Sequence, residues 1–268
     1  MNNYRYTDNT KQHLHEIFKD GNWHPLIGTS SVSEVLAKPL TWWASGLACA
    51  KFGWINKKDE DGKFRTNISR LAHARARKET ICNMEDEAYL SLLDEAYKAH
   101  SEKLDSSADA GNDLHALVEE YIKRCMKDGA VLYTGAVQIQ PFIDWAVRNV
   151  KRFLWSEGHC YSEKLWTGGI SDAGFEDKDG KYVILDVKSS KAAYLSQFWQ
   201  CAGYDTAISE NGVLDAEGNV LFKLDKPIEY YVIFPFGMKE PSAQINLDVT
   251  GGRAAFEAEV FLYKKLNT

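Results

Sequence analysis

The sequence lacks several features that would assign it to other protein classes. It has no run of eighteen apolar residues, so no transmembrane helix is expected, and its polar N-terminus does not resemble a signal peptide. Its five cysteines are odd in number and widely spaced, with no C-x-x-C pair, which argues against a disulfide framework or a zinc ribbon. No Walker motif is present, so no nucleotide-driven motor is expected. These absences favour a cytoplasmic protein with reduced thiols.

The composition is that of an ordinary globular protein of 268 residues, long enough to bury a substantial core. The formal net charge of −6 does not favour a general polyanion binder, although basic residues cluster at positions 70–78. That cluster is either a solvated helix face or a phosphate contact. Eight tryptophans are many for this length, so some aromatic side chains are expected on a binding surface.

Hydrophobic periodicity predicts a helical first part followed by alternating strands and helices. Helices are expected at 10–18, 40–52, 66–105, 112–127 and 137–156, with a break at 105–109. Strands are expected at 160–167, 169–176 and 181–188, then a helix at 192–209, strands at 219–224 and 228–235, and a closing helix at 252–266. The pattern predicts one α/β domain with a mixed sheet. It comprises a helical appendage over about residues 1–105 and an α-β-β-β-α-β core over about 106–268.

The segment from Tyr182 to Val187 carries the clearest strand pattern, because it is β-branched, aromatic and aliphatic and too short for a helix. Both of its faces are expected to be buried. Asp186 and Lys188 then share one face at the end of the strand. Charges in such a place are costly to desolvate unless they are paired or bound to an ion.

The preceding turn sets the register of this strand. If residues 178–180 form a three-residue loop with Gly180 in the left-handed conformation, Asp172 falls opposite Asp186. Opposed carboxylates repel, which favours a shared proton or a divalent cation. A slip of one residue would move Asp172 to the other face, and a solvated hairpin is the alternative.

Two helices carry polar side chains that can reach the same place. His115 and Glu119 are four residues apart, so they stack beside an apolar stripe. Gln197, Gln200 and Tyr204 share one face of the later helix, where amides and a phenol suit phosphate or sugar contacts. The alternatives are a packing histidine, a solvated glutamate and an ordinary polar helix face.

Taken together, these motifs resemble the PD-(D/E)XK nuclease superfamily, in particular its RecB-like branch with the phage-type exonucleases. The family pattern G-x-x-x-H-x-x-x-E, G-x-x-D, D-x-K and Q-x-x-x-Y reads here as Gly111…His115…Glu119, Gly169…Asp172, Asp186-Val187-Lys188 and Gln200…Tyr204. The resemblance covers about residues 111–205. It implies a restriction-endonuclease-like core, in which helices flank a mixed central sheet.

The resemblance also implies a role for each matching residue. The metal ligands would be His115, Asp172, Asp186 and the carbonyl of Val187, with Glu163 on the preceding strand as a ligand of a second metal. The catalytic group would be Asp172, Asp186, Lys188 and Glu119, with Lys188 positioning or deprotonating the attacking water and Glu119 acting through water or behind the ligands. The substrate-binding residues would be Gln197, Gln200, Tyr204 and Ser189.

By the same resemblance, the expected function is hydrolysis of DNA phosphodiesters with Mg²⁺ or Mn²⁺, by an exonuclease acting on single-stranded or frayed ends. No nucleotide cofactor is expected, and no iron–sulfur cluster, since no cysteine follows Cys201. The expected setting is phage or mobile-element DNA recombination or repair in a bacterial cytoplasm, with a single-strand-annealing or recombination protein as partner. The alternatives are a non-catalytic DNA-end-binding accessory protein on the same fold and an enzyme that acts on RNA or a modified nucleotide.

Overall fold

The computed structural model describes residues 2–9, 12–35, 41–55 and 68–267. The chain divides into two compact units, one formed by Met1–Ala37 with Gly111–Thr268 and the other by Lys38–Ala110. In the described ranges, no helix combines the length and the apolar character that crossing a membrane requires.

The described residues form eleven strands and seven α-helices. The strands are β1 (Tyr4–Asn9), β2 (Gln12–Lys19), β3 (Asn22–Pro25), β4 (Ile27–Gly28), β5 (Val150–Ser162), β6 (Thr167–Asp177), β7 (Tyr182–Lys188), β8 (Val213–Leu214), β9 (Val220–Phe222), β10 (Ile228–Pro235) and β11 (Gln244–Asn246). The helices are α1 (Thr29–Ser33), α2 (Thr41–Lys51), α3 (Ile68–Cys82), α4 (Asp86–Asp128), α5 (Gln140–Asn149), α6 (Leu195–Asn211) and α7 (Val249–Leu266).

The larger unit is built on a mixed sheet with the strand order β11-β10-β7-β6-β5-β8-β9, and β4 pairs with β6. Strands β5, β6 and β7 are antiparallel, whereas β10 runs parallel to β7. A parallel neighbour requires a crossover connection, which α6 provides between β7 and β10. The expected mixed α/β architecture is therefore confirmed.

Helices cover both faces of this sheet. On one face, α6 and α7 pack on a core that contains Tyr182, Ile184 and Tyr231. On the other, α5 and the end of α4 pack on a core that contains Val183 and Leu185. Because alternate residues of a strand point to opposite faces, β7 supplies both cores, as its sequence pattern predicted.

Strands β1, β2 and β3 form an antiparallel three-stranded sheet, so the helix predicted at 10–18 is wrong over 12–18, and the appendage predicted over about 1–105 is not helical throughout. Residues 10 and 11 lie outside the described part of the chain. The missed signal is the hairpin turn at Asp20 and Gly21, both of which have positive φ angles (50° and 80°). Tyr4 and Ile17 of this sheet are buried in a small core with Tyr161, a contact that local periodicity cannot reveal.

Two further helix predictions differ from the structure. Residues 150–156 belong to strand β5 rather than to a helix, since Val150 and Phe153 pack on one core while Leu154 and Trp155 pack on the other. The predicted break at 105–109 is absent, because α4 continues to Asp128. The first two residues of the helix predicted at 66–105 lie outside the described residues.

The smaller unit consists of α2, α3 and the first part of α4. Lys51 at the end of α2 forms an ion pair with Glu95 of α4, with Nζ and Oε2 2.8 Å apart. The guanidinium of Arg77 donates a hydrogen bond to the carbonyl of Lys51 at 2.7 Å. In the basic cluster at 70–78, Arg77 therefore stabilises the end of α2, whereas Arg75 and Lys78 are exposed.

Candidate active site

The β6–β7 hairpin has the predicted turn and register. The amide of Asp177 donates to the carbonyl of Lys181 at 2.9 Å, and Gly180 has a φ angle of 84°. The ladder ends at the pair of Ala173 and Leu185. One further step in the same register places Asp172 opposite Asp186, as the sequence predicted.

Asp186 is buried at the end of β7, with only 1% of its surface exposed. Lys188 Nζ lies 2.9 Å from its Oδ1, to which it donates a hydrogen bond, and 2.7 Å from its Oδ2. Burial raises the pKa of Asp186 to about 7, and Lys188 offsets only part of that effect. Burial alone would lower the pKa of Lys188, but the negative charges of Asp186 and Asp172 outweigh it and raise that pKa. Lys188 is therefore charged at neutral pH, next to a carboxyl group whose pKa is raised by burial.

Asp172 connects this pair to α4. Its Oδ2 accepts a hydrogen bond from the amide of Val187 at 2.8 Å, at the point where the ladder between β6 and β7 has ended. The same oxygen lies 3.5 Å from Nδ1 of His115. Both side chains are partly exposed, 33% for His115 and 18% for Asp172. The structure thus brings His115, Asp172, Asp186 and Lys188 together at one half-open edge of the sheet.

Glu119 lies one turn beyond His115 on α4 and forms an ion pair with Lys123. Its negative charge adds to burial and to the charge of Asp172 in raising the pKa of Glu157, which lies on β5. Glu119 therefore borders the acidic cluster without a direct hydrogen bond to Asp172 or Asp186 among the described contacts.

Glu157 of β5 belongs to the cluster and was missed from the sequence. Ser156 pairs with Ala173 and Gly158 pairs with Ser171, so Glu157 lies opposite Asp172. Burial, followed by the charges of Asp172 and Glu119, raises the pKa of Glu157 to about 8. Its φ angle of 49° is uncommon for a residue with a side chain.

Glu163, the predicted ligand of a second metal, lies elsewhere in the fold. It follows Ser162 in the turn between β5 and β6, where it forms an ion pair with Lys19 at 2.5 Å. Ser162 pairs with Thr167, five residues along β6 from Asp172, which is a separation of about 17 Å at strand spacing. The acid that β5 contributes to the cluster is therefore Glu157, whereas Glu163 forms an exposed ion pair with Lys19 of the N-terminal sheet.

Helix α6 places Gln200 and Tyr204 behind the cluster. The amide of Gln200 donates to the hydroxyl of Tyr204 at 2.7 Å, and both side chains are buried. Gly169 of β6 is required here, because a Cβ atom at this position would lie 2.7 Å from the ring of Tyr204. The glycine of the G-x-x-D motif thus allows the phenol to pack against the strand that carries Asp172.

The remaining predicted substrate-binding residues differ in their surroundings. Gln197 caps the start of α6, since its Oε1 accepts from the amide of Tyr194 at 2.9 Å and its Nε2 donates to Ser190 Oγ at 3.3 Å. Ser189 is exposed directly after Lys188. Gln197 therefore stabilises the start of α6, whereas Ser189 is exposed to solvent beside the cluster.

The fit to a cation depends on the donors that the cluster offers. Among the residues that the structure describes, no three or more His, Cys, Asp or Glu side chains form a ready metal-binding group. The donor types nevertheless suit a divalent ion, since β5, β6 and β7 contribute Glu157, Asp172 and Asp186, and Nδ1 of His115 lies 3.5 Å from Oδ2 of Asp172. Both oxygens of Asp186 lie close to the Lys188 ammonium, at 2.9 Å and 2.7 Å, so a metal ion at this site would share the Asp186 carboxylate with Lys188.

In comparisons with known proteins, no family model matches the chain, and no curated protein matches it at a significant level. What the protein does is therefore inferred from the arrangement of its side chains.

Proposed function

We propose that the larger unit is a divalent-metal-dependent nuclease of the PD-(D/E)XK type, with a restriction-endonuclease-like core, that hydrolyses DNA phosphodiesters. The observation that carries this proposal is the meeting of Asp172 and Asp186, from neighbouring strands, with Lys188 and His115 at one edge of the sheet. Burial and the neighbouring charge of Asp172 raise the pKa of Asp186 and of Glu157. Such an arrangement is typical of catalytic sites.

The residues that would hold the ion are Asp172, Asp186 and His115, with Glu157 as an additional acid. A bound Mg²⁺ or Mn²⁺ supplies Lewis-acid chemistry, which makes water a better nucleophile and stabilises negative charge on phosphate oxygens. Because an imidazole nitrogen is among the donors, Mn²⁺ is expected to support activity at least as well as Mg²⁺.

In this proposal Lys188 contacts the reacting atoms, and its hydrogen bond to Asp186 holds its ammonium in place. Its pKa is raised, so its ammonium keeps its protons and offers hydrogen bonds rather than accepting a proton. It therefore orients the attacking water and offsets the negative charge that develops on the phosphate in the transition state. Tyr204 braces the strand of Asp172 from behind, since its ring packs against Gly169 and its hydroxyl accepts a hydrogen bond from Gln200.

The substrate that we propose is DNA with a single-stranded or frayed end. The test is a digestion panel of end-labelled single-stranded and duplex DNA, circular single-stranded DNA and RNA, with Mn²⁺, Mg²⁺ or EDTA. We expect metal-dependent cleavage of linear single strands. Equal cutting of circles would identify an endonuclease, and preferential cutting of RNA would change the substrate class.

Asp172→Asn is the informative variant for this panel, with Asp128→Asn as the matched control because Asp128 is exposed at the end of α4. We expect Asp172→Asn to remove nearly all cleavage and to weaken the binding of Mn²⁺ measured by calorimetry. Binding of DNA without turnover in either metal would point instead to an accessory protein that binds DNA ends. Cleavage by Asp172→Asn at the parent's rate would contradict the proposed site.

A further inference from the structure

A cavity of about 500 Å³ adjoins the candidate active site in the larger unit. It is lined by Tyr6, His13 and His15 of the N-terminal sheet, by Ser30 and Ser31 of α1, and by Gly169 and Tyr204. Its volume falls within the range of small-molecule binding sites. Its walls come from four separate segments of the chain, so it exists only in the folded protein.

The aromatic rings of this cavity are held in place before any ligand arrives. The hydroxyl of Tyr6 and Nδ1 of His13 are hydrogen-bonded at 2.8 Å, and their ring planes differ by only 4°. The ring of Tyr6 also lies 4.8 Å from that of His15, centroid to centroid. Nδ1 of His15 is in turn hydrogen-bonded to the hydroxyl of Tyr4 at 2.6 Å. Rings that are already ordered lose little conformational entropy when a flat ligand stacks on them.

The charges of the lining residues indicate which part of a nucleotide the cavity would bind, the phosphate or the base. None of the lining residues is an aspartate, glutamate, lysine or arginine. Burial lowers the pKa of His15 to about 3, so this imidazole is neutral at physiological pH. A phosphate would thus enter without a permanent positive partner. An uncharged aromatic base would find ring faces and serine hydroxyls.

Two residues that line the cavity also lie near the candidate active site. Tyr204 lines it, and the same phenol binds Gln200 behind the acidic cluster. Gly169 also lines it and precedes Asp172 on β6 by three residues, a distance of about 10 Å along the strand. A group bound in the cavity would therefore lie close to the phosphodiester that reacts at Asp172.

We propose that this cavity binds one nucleobase of single-stranded DNA, at a position next to the phosphodiester that is cleaved. The inference rests on the proposed nuclease function and adds to it a recognition site supplied by the N-terminal sheet. Stacking on an aromatic ring accepts any base, so the site would favour unpaired nucleotides over a particular sequence.

The test measures binding in EDTA, so that it does not depend on turnover. Fluorescence anisotropy compares an end-labelled single-stranded oligonucleotide with a set in which one base at a time is removed to leave an abasic site. For the parent we expect one or two positions near an end at which loss of the base weakens binding about tenfold. At those positions the phosphate is retained, so the loss reports on the base alone.

The variants then assign that position to the cavity. Tyr6→Leu keeps an apolar side chain but removes the ring, so it should bind the intact and the abasic strands equally. Tyr6→Phe keeps the ring and should retain the tenfold difference. Tyr133→Leu is the matched control, because Tyr133 is an exposed tyrosine outside the cavity, and it should behave like the parent. If Tyr6→Leu does not fold, as judged by circular dichroism, His13→Ala replaces it, since the side chain of His13 is 75% exposed.

The outcomes separate the two proposals. If the parent cleaves DNA but no abasic position weakens binding, or if Tyr6→Leu and His13→Ala keep the full difference, the cavity does not bind a base and the nuclease proposal stands. If the parent neither binds nor cleaves single-stranded DNA, both proposals are overturned. A tenfold difference that only the ring-removing variants lose supports the inference.

Discussion

Replacing Lys188 by methionine tests whether the site contains a buried ion pair. Among the described residues, Lys188 supplies the only hydrogen bond that the carboxylate of Asp186 receives. Methionine fills a similar volume but carries no charge. The carboxylate of Asp186, 1% exposed, would then remain buried without a partner.

The size of the effect follows from that burial. Removing one member of a buried ion pair costs about 3–5 kcal/mol of folding free energy. Asp186 can limit this loss by taking up a proton, because burial already raises its pKa to about 7. A pKa that is raised in the folded state gives stability that is complete below the unfolded value and is lost as the pH rises through the folded value. We therefore expect a loss of about 3 kcal/mol at pH 6 and a larger loss at pH 9.

The measurement is urea unfolding followed by circular dichroism in EDTA at both pH values. Lys123→Met is the matched control, because Lys123 likewise pairs with a carboxylate, that of Glu119, but is 58% exposed. Exposed pairs contribute less than about 1 kcal/mol. The double variant Asp186→Asn/Lys188→Met removes both charges and should recover most of the lost stability while remaining without nuclease activity.

The reasoning would be refuted if Lys188→Met cost no more than Lys123→Met and showed no dependence on pH. A double variant as unstable as Lys188→Met would show that the loss comes from packing rather than from an unpaired carboxylate. Recovery of stability without recovery of cleavage would separate the role of Lys188 in folding from its role in the reaction.

Three further predictions concern groups outside that pair. The pKa of Glu157 is raised to about 8, so Glu157→Gln should unfold at a higher temperature than the parent in EDTA at pH 8 but not at pH 4.5. Mn²⁺ should raise the melting temperature of this variant less than it raises that of the parent. Burial raises the pKa of Glu259 to about 7, and both of its carboxylate oxygens lack hydrogen bonds. The parent should therefore lose folding stability between pH 5 and 8, and Glu259→Leu should lose less stability over the same range in urea titrations. Gly174→Ala should cost more than about 3 kcal/mol or prevent folding, because its Cβ would overlap the ring of Trp155, and thermal unfolding by circular dichroism would show it.

The part of the site that could be predicted from the sequence is the part made by neighbouring segments. The turn with Gly180 and the strand from Tyr182 are local patterns, and a short hairpin has one register that matches its turn. The position of Asp172 beside Asp186, one step beyond the end of the ladder, therefore followed from counting residues. The spacing of His115 on a helix likewise placed it on a face that can reach the sheet.

The errors lie where the decisive contacts join distant parts of the chain. Residues 12–19 have a pattern that is compatible with a helix, but Ile17 is buried with Tyr161, and this contact makes the segment a strand. Residues 150–156 were misassigned for the same reason, since their apolar side chains fill two cores made by other elements. Secondary-structure propensity is a weak preference that such burial overrides.

Sequence alone determined the two faces of β7, the hairpin register and the types of side chain available for chemistry, because alternation and turn geometry act over a few residues. Only the tertiary structure decided which acid of β5 joins them. Glu157 and Glu163 are both single acids in the sequence, and the pairing of β5 with β6 places the first opposite Asp172 and the second in a turn beside Lys19. The pairing of long strands depends on packing along their whole length, and that packing is not encoded by any one segment.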